Sequence, residues 1–572
     1  MAYLFVTAVI LLLFGAVVIR EMVQQSNRRK AFRQSLYDDF GGLPKRKYTV
    51  ENVQHIPGYY KRHAVEGQLD DITWNDLNME EIFKRVNYTL SATGEEYLYY
   101  LLRSPGENSE RLKHLEQVVQ WFGAHPEDRV EIQMHLHELG YTGKHSLYEY
   151  IENLDALGER SNLKHHLMNA LYLPLLALAP FRLSLSIAGI SVLGIYQIMS
   201  YFKDKRLMEP YIISFAYIMR LINTCEKISV MQIPACEKEF AGMWECIQKM
   251  KGIRRGSFWV FTASDSRTSG NPLEVILDYL RMMFHLDLII FNRMVKQLRL
   301  HVEDADKLIA QAGFLEAAVS VCWFRASLVE GYCVPEFSDT TKGTGTVRAA
   351  CSHVGLSMEE GYHILLEHPV KNGIKTQKGV LLTGSNASGK STFLKMTAIN
   401  AVLAQTLHTC AAKTYRAPFY RIYSSMALRD DLAGGESYYI VEIKSLKRIL
   451  DAVKEGQNVL CFVDEVLRGT NTVERIAAST QILKSLSGEN VLCFAATHDI
   501  ELAELLKVEY DNYHFEEEIR DGDISFAYRL MEGKATTRNA IRLLELIGYS
   551  PEITERALDS ARHFVETGMW RA

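Results

Sequence analysis

Hydrophobic periodicity divides the chain into regions of different texture. Ala2 to Ile19 carry no charge, and at 1.5 Å per residue the stretch reaches about 27 Å, close to the hydrocarbon thickness of a bilayer. Arg20, Arg28, Arg29 and Lys30 follow it, whereas a cleaved signal peptide carries its positive charge ahead of the apolar run. This order predicts an uncleaved anchor over residues 1–22 with its C-terminal side in the cytoplasm, then a linker over 23–69. A second apolar region, 167–202, is broken at Pro180-Phe181-Arg182 and flanked by His165-His166 before it and Lys203, Lys205 and Arg206 after it. Basic residues at both ends suit a membrane hairpin that enters and leaves on the cytoplasmic side, with Arg182 snorkelling at the turn. Because Leu171 to Phe181 is short for a span, a re-entrant helix followed by one span and a soluble buried pair stand as alternatives.

On either side of that region, over 70–166 and 203–335, apolar residues recur at three- and four-residue spacing, as in LNMEEIFKRVNYTLSATGEEYLYYLL. The run that begins PLEVILDYLRMM is long enough to cross a domain as a rod. After Pro335 the texture changes to short apolar runs between glycines and turns, KGVLLTGS, NVLCFVDE and NVLCFAATH. These predict buried parallel strands of an α/β domain over 336–535, and 536–572 predicts a helical tail.

At 572 residues and 48% hydrophobic the chain can bury several cores, which excludes general disorder. The formal net charge of −5 does not announce a nucleic-acid binder. Local clusters, Lys45-Arg46-Lys47 and Lys251 with Arg254-Arg255, suit phosphates, anionic lipids or a solvated face equally. Nine cysteines stand singly with no C-x-x-C pair, which predicts a reduced, cytosol-facing body.

The chemistry is concentrated in the α/β region. Strand KGVLLT runs into Gly384, Ser385, Asn386, Ala387, Ser388, Gly389, Lys390, Ser391 and Thr392, and then into a helix. This G-x-x-x-x-G-K-S pattern turns successive N–H groups toward the phosphates of ATP, while Lys390 neutralises their oxygens and Ser391 holds Mg2+. About 75 residues on, a second apolar strand delivers Asp464 and Glu465 at its C-terminal end, where ligands of open α/β sheets bind. Asp464 is expected to hold the magnesium through water, and Glu465 to polarise the attacking water as a general base. A third strand ends at His498, placed to sense the γ-phosphate or that water.

These residues carry a resemblance. FVDEVLRGTNTVERIAAS closely resembles the MutS-family stretch in which Asp-Glu precedes Arg-Gly-Thr, and ATHDIELA is similar to that family's Thr-His element. Asp430 to Ser437 followed by IVEI resembles the MutS signature loop, and the tail from Tyr528 resembles the family's C-terminal helical element. His363 to Leu366 and Pro369 to Asn372 look like the His-Pro segment and adenine-side loop, with Ile364 where proline is expected. The resemblance implies an ATP-hydrolysing homodimer in which Ser437 reaches the opposing subunit's γ-phosphate. It implies nucleotide contact at Asn372, core and lever helices over 70–335, and DNA as a ligand. Residues 23–69 leave no room for a mismatch-recognition domain, so a membrane-associated relative with a different task is expected, its ATPase domain on the cytoplasmic side of the cell membrane.

Two rivals belong to other classes. LAGGES superficially resembles the signature of an ABC-type or SMC-like ATPase, although the loop-to-strand distance and the Arg-Gly-Thr are MutS-like. A membrane scaffold whose ATP cycle acts on a protein partner is the second.

Overall fold

The computed structural model describes residues 2–49, 53–106, 109–142, 161–253, 272–338, 355–385, 388–426, 438–468, 470–520, 523–535 and 540–570. The helices that matter below are α1 (Ala2–Asp38), α2 (Asp71–Asp76), α3 (Ala92–Arg103), α4 (Pro126–Leu139), α5 (Leu183–Ser229), α6 (Val302–Ala326), α7 (Lys390–Leu407) and α8 (Tyr438–Lys454). The chain divides into two units: Met1–Ala64, Asn87–Tyr100 and Glu116–Ser327 form the first, and Val65–Val86, Leu101–Leu115 and Leu328–Ala572 the second.

The first unit is helical. Helix α1 does not stop at residue 22 but runs on through Asp38, so the first part of the expected linker continues the same helix as the expected anchor. Polar side chains dock this extension on α4: Arg29 pairs with Glu138 and Arg33 with Glu131, each at 3.1 Å, and Phe32 stacks on His137. Arg46, counted above in a basic cluster, is turned inward. It pairs with Glu95 and lies over the Tyr141 ring, so it offers no free cation for phosphate.

The run that begins at Pro272 is not one rod: it breaks at His285, whose φ is +53°, and again at His301, and its last part, α6, is buried along most of its length. Two glycines permit the close packing. A Cβ on Gly313 would lie 2.4 Å from that of Tyr97, and one on Gly94 would overlap the Glu316 carboxyl. Glu316 itself accepts from the N–H groups of Leu90 and Ser91 and from the Ser91 hydroxyl, at the N-terminus of α3. Burial pushes its carboxyl up to about 7 against those hydrogen bonds.

The region 167–202 is a helical hairpin turned inside out. A short arm, Leu163–Ala170 and Tyr172–Leu178, turns at Ala179 to Arg182 into α5, which continues to Ser229 as 47 residues. Polar groups face the inside of the hairpin: Tyr172 donates to Gln197 at 2.6 Å, Gln197 to Asn169 at 3.1 Å, and Ser186 to the Leu175 carbonyl at 2.7 Å. Leu173, Phe181, Val192, Ile195 and Met199 point outward, with Phe181 82% exposed.

The second unit is built on two sheets. Strands β1 (Glu336–Phe337), β2 (Leu356–Gly361), β3 (Asn372–Thr376) and β5 (Thr414–Ala417) form one, in the order β1-β5-β2-β3. The other contains β4 (Gly379–Thr383), β6 (Arg421–Ser425), β7 (Val459–Asp464), β8 (Val491–Ala496), β9 (Tyr510–Arg520) and β10 (Asp523–Glu532), in the order β10-β9-β4-β8-β7-β6. All its neighbours are parallel except the β9–β10 hairpin. The continuous apolar runs read from the sequence are β4, β7 and β8. Every residue in them is buried, as strands covered on both faces require. Leu446 and Ile449 of α8 pack against Leu381, Val459 and Cys461 of that core, and each such buried Leu contributes roughly 1.5–3 kcal/mol.

Helix α2 also belongs to this unit. Asp70 caps it, accepting from Thr73 N at 2.7 Å, and Asp76 accepts from Ser424 Oγ at 2.7 Å and Met426 N at 2.9 Å at the end of β6. The stretch read from the sequence as the start of a helical region thus clusters, over Val65–Val86, with the sheets.

Candidate nucleotide site

The site gathers at the C-terminal ends of β4, β7 and β8. After β4 the chain turns at Gly384, whose φ of +138° and a would-be Cβ 2.9 Å from the Phe515 carbonyl oxygen both demand glycine. Gly389, at φ +110°, precedes the first turn of α7 and ends the loop in the same way. Lys390 is buried, and its ammonium donates to the carbonyls of Gly384 (2.7 Å) and Ser385 (2.6 Å). Ser391 and Thr392 are exposed to the cavity at the start of α7.

Across the loop stands the acidic pair. Asp464 closes β7 and is buried. Glu465 leaves the strand at φ +61°, in the left-handed region, its N–H held by the Ala496 carbonyl at 2.9 Å. That turn points its carboxylate at His498 Nε2 and at Arg468 Nε, the latter 2.7 Å away. The hydrogen bond with His498 holds the Glu465 carboxyl below the usual carboxylate range although burial opposes it, and Arg468 and Lys390 add to the effect. Glu465 is therefore an anion at neutral pH. His498 Nδ1 lies 3.1 Å from the Gly384 carbonyl, which links the β8 end to the phosphate loop.

A cavity of about 510 Å³ opens between these groups, lined by the loop, Glu465, His363, His368, Asn372, Phe515 and Tyr528 among others. Its size suits a nucleotide. Burial and the neighbouring Lys395 lower His363 to about 4, which keeps it neutral. Asn372 lines the cavity but spends its amide on backbone, donating to Tyr528 O at 2.9 Å and accepting from Leu530 N at 2.8 Å. Its role here is to fasten β3 to the irregular register of β10 between Phe526 and Leu530, rather than to present a free amide to a ligand.

Among the described residues, the structure brings Gly384, Ser385, Ser388, Gly389, Lys390, Ser391, Thr392, Asp464, Glu465 and His498 together, with Asn372 on the rim. Asn386, Ala387 and Ser437 lie outside the described residues, as do Arg254 and Arg255. Three contributors have no place in the sequence reading of the site. Arg468 sits in the Arg-Gly-Thr, so its proximity to Asp464 was a usable signal. Phe515 and Tyr528 come from the β9–β10 hairpin, where no motif marks them.

The residues fit a phosphate group with magnesium. Ser388 Oγ is buried in the loop without a hydrogen-bond partner, and a buried orphan hydroxyl calls for one. Ser391 and Asp464 supply the hard oxygen donors that magnesium prefers, in a set small enough to leave room for phosphate oxygens and water.

The deciding comparison concerns this same segment. Residues 380–565 match the family model of MutS domain V. Over 179 residues the chain is 34% identical to the DNA mismatch repair protein MutS of Thermus thermophilus, a match covering 31% of this chain and 22% of that protein. It is 33% identical over 183 residues to DNA mismatch repair protein MutS 2 of Haloarcula marismortui, covering 31% and 19%. To MutS of Halalkalibacterium halodurans it is 30% identical over 240 residues, covering 38% and 28%. The match thus spans about a quarter of the length of these MutS relatives. Phosphate loop, Asp464-Glu465 and His498 all fall inside the MutS-like segment.

Proposed function

We propose that this chain is a membrane-associated, MutS-like ATPase that binds ATP with magnesium in the cavity of its second unit and hydrolyses it at sites completed by a second copy. The observation that carries the reading is that Lys390 and Glu465 line one cavity beyond the C-terminal ends of three parallel strands, with Asp464 next to Glu465 and His498 paired with it, within a segment matching MutS domain V. Lys390 would leave its loop carbonyls for phosphate oxygens, and the loop N–H groups would cradle the same charge. Ser391 and Asp464 would hold magnesium, which when bound neutralises charge between phosphates. Glu465, kept ionised and aimed by His498, would take the proton of the attacking water. Membrane association rests on the charge-free stretch Ala2 to Ile19 and on the outward apolar face of the hairpin.

The dimer is tested by complementation. Lys390→Ala and Ser437→Ala proteins are each expected to be nearly inactive, because each homodimer lacks one half of every composite site. Mixing them creates one site with an intact loop and an intact opposing serine, so partial ATPase activity should return. A mixture as inactive as its parents, despite demonstrated heterodimers, would refute the shared site. Coupling to DNA is the extension the relatives' names suggest; salt-dependent binding of the chain to duplex and branched DNA tests it, and no binding at low salt would exclude it.

A further inference from the structure

Four cysteines that stand far apart in sequence form two pairs in the second unit. Cys461 and Cys493 face each other on β7 and β8 and are fully buried; the hydrogen bond between the thiols and burial push Cys461 well above the ordinary thiol range. Such thiols are inert.

Cys333 and Cys410 are placed differently. They exchange both backbone hydrogen bonds, each 2.9 Å, in an isolated antiparallel bridge. Residues paired in this way have Cα atoms about 5.5 Å apart, inside the range of about 4.4–6.8 Å that disulfides span. A hydrogen bond to the Cys410 thiol lowers Cys333 despite partial burial. Cys333 is half-buried and Cys410 lies behind it in the interior, so one sulfur is reachable from solvent and the other is positioned to resolve it.

The pair also sits one layer behind the nucleotide cavity. Cys410 Sγ is 3.6 Å from the carbonyl of Asn400 on α7, and Asn400 accepts from Ala411 N at 2.7 Å. Tyr362, next to cavity-lining His363, donates to the Gly331 carbonyl at 2.6 Å in the segment that carries Cys333.

We infer that Cys333 and Cys410 are a redox-active dithiol, closed to a reversible disulfide by peroxide, that ties the segment 331–335 to the loop following α7. The Cys333 thiolate attacks the peroxide: an S–O bond forms, the O–O bond breaks, and the departing hydroxide takes a proton to leave as water. The Cys410 sulfur then attacks the sulfenic sulfur, forming S–S, breaking S–O and releasing a second water. Two thiols are oxidised to one disulfide as one peroxide is reduced to two waters, and a thiol reductant reverses the change.

Peptide mapping of the full chain in detergent tests this, after hydrogen peroxide titration and alkylation under non-reducing conditions. The Cys333–Cys410 linked peptide should be the first disulfide to form and should vanish on treatment with dithiothreitol, with Cys461 and Cys493 still reduced. Cys410→Ser should stop at a sulfenic acid on Cys333, captured by dimedone. The inference fails if another cysteine is oxidised before Cys333, or if wild-type Cys333 advances to sulfinic acid without a linked peptide. The wild-type result stands alone should the variant misfold.

Discussion

Leu183–Arg206, the first half of α5, and Val302–Ala326, which is α6, are both apolar helical segments, yet 17% of the most apolar window of the first is buried and 83% of the second. Length and composition do not separate them; the placing of their polar side chains does. In the buried half of α6, Glu316 holds the start of α3, Ser320 accepts from Tyr88 N at 2.9 Å, and Arg325 forks onto Glu116 at 2.9 and 2.6 Å. In the hairpin, Ser186 and Gln197 turn inward and the leucines and valines turn out. A helix whose buried charged groups are paired belongs to a protein core, and one with its apolar side bare needs an apolar cover, which the proposed membrane association would supply.

A carboxylate placed in each helix should break this contrast most forcefully. Val319, 1% exposed, and Val192, 69% exposed, are matched positions. Val319→Glu buries a charge with no partner and should destabilise the first unit by about 4 kcal/mol or more, read as lost thermal cooperativity. Val192→Glu should leave that transition in place. Equal loss in both would erase the distinction.

Glu316 sharpens it through pH. Its folded carboxyl titrates near 7 against 4.5 for an ordinary glutamate, a difference worth roughly 3 kcal/mol. The folded state holds its proton more tightly, so the full contribution is present below about 4.5 and is lost as pH rises through 7. Melting of the wild-type chain should therefore weaken between about pH 4.5 and 7 and level off above that, and Glu316→Gln should flatten that slope; an unchanged slope would show that another group sets it.

The outward face has its own, slightly smaller effect. A charge at the centre of a membrane helix costs about 2.5–3.5 kcal/mol, so Val192→Glu with Ile195→Glu should release the chain from lipid vesicles by tenfold or more while its fold persists. Retention unchanged would argue that α1 alone anchors it. The smallest expected change is at the nucleotide site: Asn372→Ala removes two hydrogen bonds to β10, about 1–2 kcal/mol in all. It should loosen nucleotide binding modestly without touching the hydrolytic step, and a lost turnover rate at saturating ATP would reassign Asn372 to the chemistry.

How much of this was legible follows the range of the interactions. The loop from Gly384 to Thr392 and the strand ends at Asp464 and His498 are local patterns, and the structure gathers their described residues where those patterns suggest. The helix beyond residue 22 was hidden because its polar surface reads as linker; only α4 shows why Arg29, Phe32 and Arg33 are there. The membership of α2 in the sheet unit depends on Asp76 meeting Ser424, a long-range contact with no periodic trace. Tyr528 reaches the cavity through the register irregularity of β10, and the cysteine pairs exist only once distant strands are aligned.

The central claim is that Glu465 is the base of an ATP-hydrolysing site whose binding groups are others. Glu465→Gln keeps the shape and the hydrogen-bonding oxygen near His498 but removes the charge that takes a proton. Nucleotide binding and steady-state hydrolysis measured side by side on the same preparation decide it. ATP affinity should stay within a few-fold of wild type while turnover falls by about a hundredfold or more. Near-normal turnover in Glu465→Gln would contradict the account.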